Sequence, residues 1–356
     1  MEKMQKYSFN LRNPGSRTMV GLVILAVILV LVPVVVDNPY YIHLLIMVGM
    51  NSVLAMTFLL LLRTGLITLA IAGFWGIGAY ASALLTTKLG LLTWLAMPAS
   101  TIITGIFAFF IGLLLVKKGG IGFVMLTLVF GFIIVLIFGT FEIFGGYTGI
   151  YDIPPPESIP LPFFGLIEFT SKTPYYYLML FLVFIVVLGF SAFYATWTGR
   201  AWRAIGLSPR LADSLGISIF RYRLLAFVIA SAAAGLMGSF FAHYYGSVVP
   251  ATFGPLKTIY VHVYAILGGI EFAIAGPIVG SLVMIIVPEF LRITKEVEPV
   301  FTGLLLILLV MFLPDGLLGL VRRGRRPTGP IENLARVFGW VKHSLPEASR
   351  VHEDRK

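Results

Sequence analysis

Gly199-Arg200-Ala201-Trp202-Arg203-Ala204-Ile205-Gly206-Leu207-Ser208-Pro209-Arg210-Leu211-Ala212-Asp213-Ser214-Leu215-Gly216-Ile217 is a long polar stretch with a readable helix in it, set between apolar runs of membrane-spanning length. Ser208 can cap that helix, and Pro209 suits its first position because the N–H it lacks would be unpaired there anyway. Gly216 can end it in the left-handed conformation. About two turns result, roughly 10 Å long. Leu211 and Leu215 share a face at i,i+4 spacing, and Arg203, Arg210, Arg221 and Arg223 surround them with positive charge.

The flanking runs set the class. In 356 residues, 58% are hydrophobic and only 12% charged, where a soluble domain carries about 25% charged residues. The runs lack the ~10-residue dyad alternation of an outer-membrane barrel, so they are spanning helices. The expected fold is an all-α polytopic membrane protein. The run Thr18–Val36 is too long for a signal-peptide core and ends without a small-residue cleavage site, so it reads as a first span. Further spans are expected at Tyr41–Leu62, Gly65–Thr86, Leu91–Val116, Ile121–Gly145, Tyr175–Thr196, Leu224–Gly246, Thr258–Ile270, Ile274–Leu291 and Pro299–Leu320. That makes about ten transmembrane helices, the eighth short, with Gly268-Gly269 and Gly276-Pro277 interrupting the apolar stretch around it. Residues 1–17 then form an N-terminal segment, 18–323 the membrane domain and 324–356 a tail.

Charge placement orients this topology. With residue 1 in the cytoplasm, 21 of the 26 Lys and Arg fall inside, leaving Lys88, Lys172, Lys257, Arg292 and Lys295 outside. Both termini are therefore expected in the cytoplasm, and the +10 net charge says nothing of nucleic acid. The longest outside loop, 146–174, contains Ile153-Pro154-Pro155-Pro156, which favours extended geometry in a docking surface or stiff spacer.

Little in the chain suggests catalysis. No cysteine is present, which excludes disulfides and thiolate chemistry. His43, His243 and His262 stand without metal-ligand spacing, and Glu142, Glu271 and Glu289 fall near span ends, where water is in reach. A G-x-x-x-x-G-K-[ST] phosphate loop and a G-x-S-x-G elbow are both missing, so the chain is read as non-catalytic. Gly65–Tyr80 is the second informative stretch. Its Gly73, Gly76 and Gly78 suit close helix packing and also a pore-lining helix, with Thr68 and Tyr80 beside them as translocation-pathway candidates.

Gly199-Arg200-Ala201-Trp202-Arg203-Ala204-Ile205, Ala212-x-x-x-Gly216-Ile217 and Arg221-Tyr222-Arg223-Leu224-Leu225-Ala226-Phe227 are followed by Ala232-Ala233-Ala234-Gly235-Leu236-x-Gly238 and Ala242-His243-Tyr244. With Gly76-Ile77-Gly78-Ala79-Tyr80 upstream and Pro314-Asp315-Gly316-Leu317 downstream, the pattern resembles the M-type permease subunit of branched-chain amino-acid ABC transporters over about residues 38–323. The resemblance implies an importer in a prokaryotic plasma membrane. It comprises a second, related permease subunit, two ATPase subunits that bind ATP and Mg, and an extracytoplasmic substrate-binding protein. No cofactor is implied on this chain itself. The resemblance also implies an ATPase-coupling role for Arg203, Arg210, Leu211, Ala212, Leu215, Gly216 and Arg221, although Arg210 stands where relatives commonly carry an acid. The stretch Thr68–Phe74 likewise replaces the usual Ser, Gly and His pattern. The implied cargo is leucine, isoleucine or valine. Amides and urea-like compounds, or an ion-coupled secondary transporter of a small polar solute, are the alternatives.

Overall fold

The computed structural model describes residues 29–33, 38–161, 165–290, 303 and 316–319. Asn38 starts the first long helix, α1 (Pro39–Leu62), its side chain accepting from Tyr40 N at 2.9 Å with Pro39 at the first position. The chain continues through α2 (Ile71–Thr87), α3 (Thr93–Leu115), α4 (Gly120–Thr140) and α5 (Lys172–Ala195). Two short helices, α6 (Trp197–Leu207) and α7 (Pro209–Ser214), lead into α8 (Ile219–Tyr245), α9 (Pro255–Gly268) and α10 (Ala275–Phe290). Between α4 and α5 lie the 3-10 turns Glu142–Phe144 and Gly146–Thr148 and a small antiparallel hairpin, β1 (Ile159–Leu161) with β2 (Gly165–Ile167).

Among the described residues, α1, α3, α4, α5 and α8 are long and apolar enough to cross a membrane, while α2 and α10 are shorter apolar helices. Five of the expected ten spans are thus present at membrane-spanning length among the described residues. The span expected at Gly65–Thr86 begins as helix only at Ile71, that at Ile121–Gly145 stops at Thr140, and α9 has 14 residues. Thr18–Val36 and Pro299–Leu320 lie outside the described residues, apart from 29–33, 303 and 316–319, as do the 1–17 segment and the 324–356 tail.

The chain divides into two compact units, Met1–His262 and Val263–Lys356, the division falling within α9. In the first, α8 is the central post, packed by α1, α2 and α3. α1 and α8 bury 72% of their most apolar windows, whereas α3, α4 and α5 bury 33%, 33% and 28% and so form the outer wall. Side chains such as Ile102, Phe110, Phe132 and Phe181 remain exposed on that wall, the composition a lipid-facing surface needs.

The α2–α8 crossing is the tightest contact in this unit. A Cβ on Gly78 would overlap the Gly235 backbone, and one on Gly238 would overlap the Trp75 carbonyl. Apolar solvent supplies no hydrophobic force between helices, so such backbone approach supplies van der Waals energy instead. Around the seam, Tyr80 stacks on Phe138 at 4.1 Å, and Trp75 meets Phe241 and Phe253 edge to face at 4.8 Å each. In the second unit, Val263, Leu267 and Met284 form a small core backed by Tyr264, Val283 and Leu317. There α9 and α10 approach closely through Gly268, Gly276 and Gly280.

Gly78→Leu should therefore cost at least about 1–3 kcal/mol, the usual range for overpacking. Purified protein in detergent is expected to show a clearly lowered thermal midpoint; an unchanged midpoint would mean that the seam is loose.

Candidate functional site

α6 and α7 form an elbow at the end of the bundle where α1 finishes and α8 begins. α6 is amphipathic, its buried face being Gly199, Ala201, Trp202 and Ile205. Trp202 is fully buried, and its indole N–H donates to the Tyr222 carbonyl at 2.8 Å, fixing α6 to the first turn of α8. Gly206 lies against the Arg63 carbonyl so closely that a side chain there would overlap it, which seats the end of α6 on the end of α1. Ser208 then caps α7 by accepting from Leu211 N at 3.4 Å, Pro209 opens it, and Gly216 follows at φ +78°. This agrees with the capping expected from sequence.

Two arginines complete the joint. Arg63 caps the C-terminal end of α1, and its guanidinium stands 4.6 Å over the Tyr194 ring. Burial lowers the Arg63 pKa from its ordinary value, Tyr194 opposing that shift and Arg203 adding to it; a guanidinium has ample range to remain charged. Arg223 Nε donates to the Thr64 carbonyl at 3.0 Å, and its other nitrogens approach Gly65 in the turn after α1 and Gly119 in the turn before α4. Cations thus meet the carbonyl-rich end of α1, where the helix dipole favours them.

What the elbow presents outward is apolar with a basic rim. Ala212 is buried, but Leu207, Leu211 and Leu215 are 79%, 63% and 72% exposed. Arg203, Arg210 and Arg221 are exposed around them. The coupling residues expected from sequence therefore share one surface element, except that Ala212 points inward and anchors it.

The Thr64–Gly65 turn held by Arg223 runs directly into an interruption. Leu66–Ala70 has no helical structure, and several of its backbone groups are met by side chains of its own and of other elements in the unit. Leu69 N donates to Thr127 Oγ1 of α4 at 3.0 Å, Ala70 N to Thr68 Oγ1 at 3.1 Å, and Ala72 N to Thr258 Oγ1 of α9 at 3.0 Å. His262 Nε2 bonds the Thr68 carbonyl at 2.9 Å and its ring lies 4.0 Å from that of Phe58. Non-helical backbone persists at membrane depth only when protein groups satisfy it in this way. Beside the interruption is a cavity of about 10 Å³, lined by Thr57, Leu61, Thr68, Ile71, Phe74, Phe227, Ala230, Ser231 and Ala234.

Of the expected pathway residues, only Thr68 lines this cavity. Gly73 faces Phe130 and Gly131 of α4, Gly76 faces Phe253 and Phe138, and Gly78 sits in the α8 seam. Tyr80 is buried, its hydroxyl donating to the Val248 carbonyl at 3.3 Å. These four positions occupy helix contacts. Thr57, Thr127, Ser231 and Thr258 were not singled out from sequence. Isolated hydroxyls in apolar helices were the available signal, but most such hydroxyls only return to their own helix.

At the opposite end, the loop after α4 is strapped to the bundle. Ile150 pairs with Val248, and Ile153 N donates to Gly246 O at 3.1 Å. His243 bonds the Pro154 carbonyl at 2.8 Å and Ser82 Oγ at 2.8 Å, and Glu157 accepts from Thr93 N at the start of α3 at 2.8 and 2.9 Å. The Pro-rich segment is thus packed in place. His43 bonds Tyr244 at 2.6 Å, so His43, His243 and His262 are each internally bonded. Among the described residues no group of three metal-binding side chains occurs.

Arg223→Ala should release the Thr64–Gly65 turn, with a loss of about 1.5–3 kcal/mol for a hydrogen bond to a charged group. Hydrogen exchange at 64–70 is expected to quicken more than at α3; equal exchange in both forms would contradict the joint.

A protein-family model described as the branched-chain amino acid transport system / permease component matches residues 40–313. The high-affinity branched-chain amino acid transport system permease protein LivM of Escherichia coli (strain K12) is 30% identical over 301 residues, covering 79% of this chain and 68% of that protein. LivM of Salmonella typhimurium is 30% identical over 302 residues with the same coverage. The permease protein LivH of Escherichia coli (strain K12) is 33% identical over 123 residues, 34% of this chain and 39% of that protein. No solved structure matches the chain.

Proposed function

We propose, from the premise that this chain belongs to the branched-chain amino acid transport system permease family, that it is the membrane subunit of an ATP-driven importer of leucine, isoleucine and valine. The observation that carries the coupling step is the elbow: an exposed apolar ridge, Leu207, Leu211 and Leu215, on a helix pair whose inner face is fixed to α1 and α8. Exposed leucines on a rigid base suit a groove on a partner protein. ATP and its magnesium act on that partner, an ATPase subunit, and its closure pushes α7.

The push has a continuous route. α7 moves with α6, α6 bears on Arg63 through Gly206, and Arg223 ties Thr64 and Gly65 to the N-terminal part of α8. Those turns lead straight into the interrupted segment before α2. A motion at the elbow thereby reaches the non-helical stretch between α1 and α2.

Relatives named LivM and LivH are both permease proteins of branched-chain amino acid transport systems, which supports pairing with a related second permease. A binding protein outside the cell would deliver substrate to the strapped end, with both termini of this chain in the cytoplasm of a prokaryote. The basic rim of Arg203, Arg210 and Arg221 calls for acidic groups around the ATPase groove, since complementary charge sets register and on-rate.

Leu211→Glu places a charge on an exposed position, so folding should survive it. In the assembled transporter it is expected to cut leucine uptake and substrate-stimulated ATP hydrolysis by more than about tenfold, the scale of losing an interface hot spot. Undiminished uptake, or uptake that follows the proton gradient with ATP held constant, would refute the coupling route.

A further inference from the structure

We propose that the cavity at the start of α2 is a recognition site for the carboxylate of a small aliphatic amino acid, held between the α2 N-terminus and the Ser231 hydroxyl. This rests on the permease reading above and locates a substrate contact within it.

The first observation is the helix end itself. α2 begins beside the interrupted segment, and its cap residue Ala70 offers no side-chain acceptor. Ala72 N–H is taken by Thr258 and Phe74 N–H by the Ala70 carbonyl. Among the described residues, Ile71 and Gly73 N–H donate to no acceptor. Two free donors at the positive end of a helix dipole favour an anionic group, as in the half-helices of transporters.

Ser231 is the second and independent observation. It is 4% exposed, lines the same cavity from α8, and makes no hydrogen bond to a described residue. Several other buried hydroxyls return to their own helix, Ser52 to Val48, Thr57 to Leu54, Ser100 to Met97 and Thr104 to Ser100, at 2.6–2.8 Å, while Thr93 and Ser281 are enclosed without a partner away from this cavity. The Ser231 hydroxyl, open to the cavity and bonded to no described residue, is free to donate to a carboxylate oxygen that the helix end binds at the same time.

The remaining wall fits the rest of such a molecule. Leu61, Ile71, Phe74 and Phe227 suit a branched aliphatic side chain, and the Thr57 and Thr68 oxygens keep lone pairs for an ammonium. At about 10 Å³ the space holds about one water, so the site is contracted here. The Phe74 and Phe227 rings, 5.3 Å apart and edge to face, belong to α2 and α8 and must separate to admit substrate.

The chain has no cysteine of its own, so Ser231→Cys gives it a single thiol for test in the assembled, ATP-supplied transporter. A small anionic methanethiosulfonate should modify that thiol during turnover. L-Leucine at about ten times its half-saturating concentration should slow modification about tenfold by mass action, and leucinol, which lacks the carboxylate, should not. Absence of modification during turnover, no protection by leucine, or equal protection by leucinol would each overturn the site; the second is the result expected of a trapped structural water. S231A and S231T supply a measure independent of labelling. Loss of a hydrogen bond to a charged group should lower uptake about tenfold in S231A, with S231T restoring it. Equal loss in both variants would assign Ser231 to packing and overturn the proposal. Uptake indifferent to ATP would sink the permease reading, whereas ATP-driven leucine uptake without protection sinks this site alone.

Discussion

The backbone contact between α2 and α8 constrains everything around it. Gly78 on α2 and Gly238 on α8 let the two backbones meet where a Cβ would intrude, Gly78 lying against the Gly235 backbone, while Gly235 itself makes room for Thr104 of α3. Between the end of α1 and that seam the chain runs through the non-helical segment Leu66–Ala70, and Thr127, Thr258 and His262 reach in to satisfy backbone groups of that segment and of the start of α2. Hydroxyls brought in for this purpose place polar groups inside an otherwise apolar unit.

The elbow and the interruption are two ends of one short lever. Arg223 touches the turn after α1, lies near the turn before α4, and itself belongs to α8. On the proposed coupling, a displacement of α7 would change the positions of several spans together, and because packed interfaces have discrete rather than continuous arrangements, a small push there would select between two states of the bundle.

Sequence legibility divides along physical lines. Long apolar runs fixed α1, α3, α5 and α8 to within a few residues, since lipid imposes both length and composition. Ser208, Pro209 and Gly216 likewise marked α7 through local capping rules that tertiary packing did not override. α6 escaped notice because its glycines and arginines read as loop, although its Trp202 and Ile205 face is helical in period. The start of α2 was misplaced because hydropathy reports apolarity and says nothing of whether backbone bonds are made within the segment. The glycines of Gly73–Gly78 could be read as packing or pathway from sequence, and only the position of the facing helix distinguishes the two uses. Thr57 and Ser231 were illegible for a related reason, since a cavity exists only where three helices fail to fill space.

The central claim is that energy from ATP enters this chain at the exposed face of α7. Its most direct measurement is site-specific cross-linking in native membranes from Leu211→Cys, the sole thiol the chain would then carry. The account predicts an adduct between residue 211 and the nucleotide-binding subunit, whose yield changes when ATP is added. A position 211 that cross-links only to lipid, in a transporter still active in leucine uptake, would contradict it.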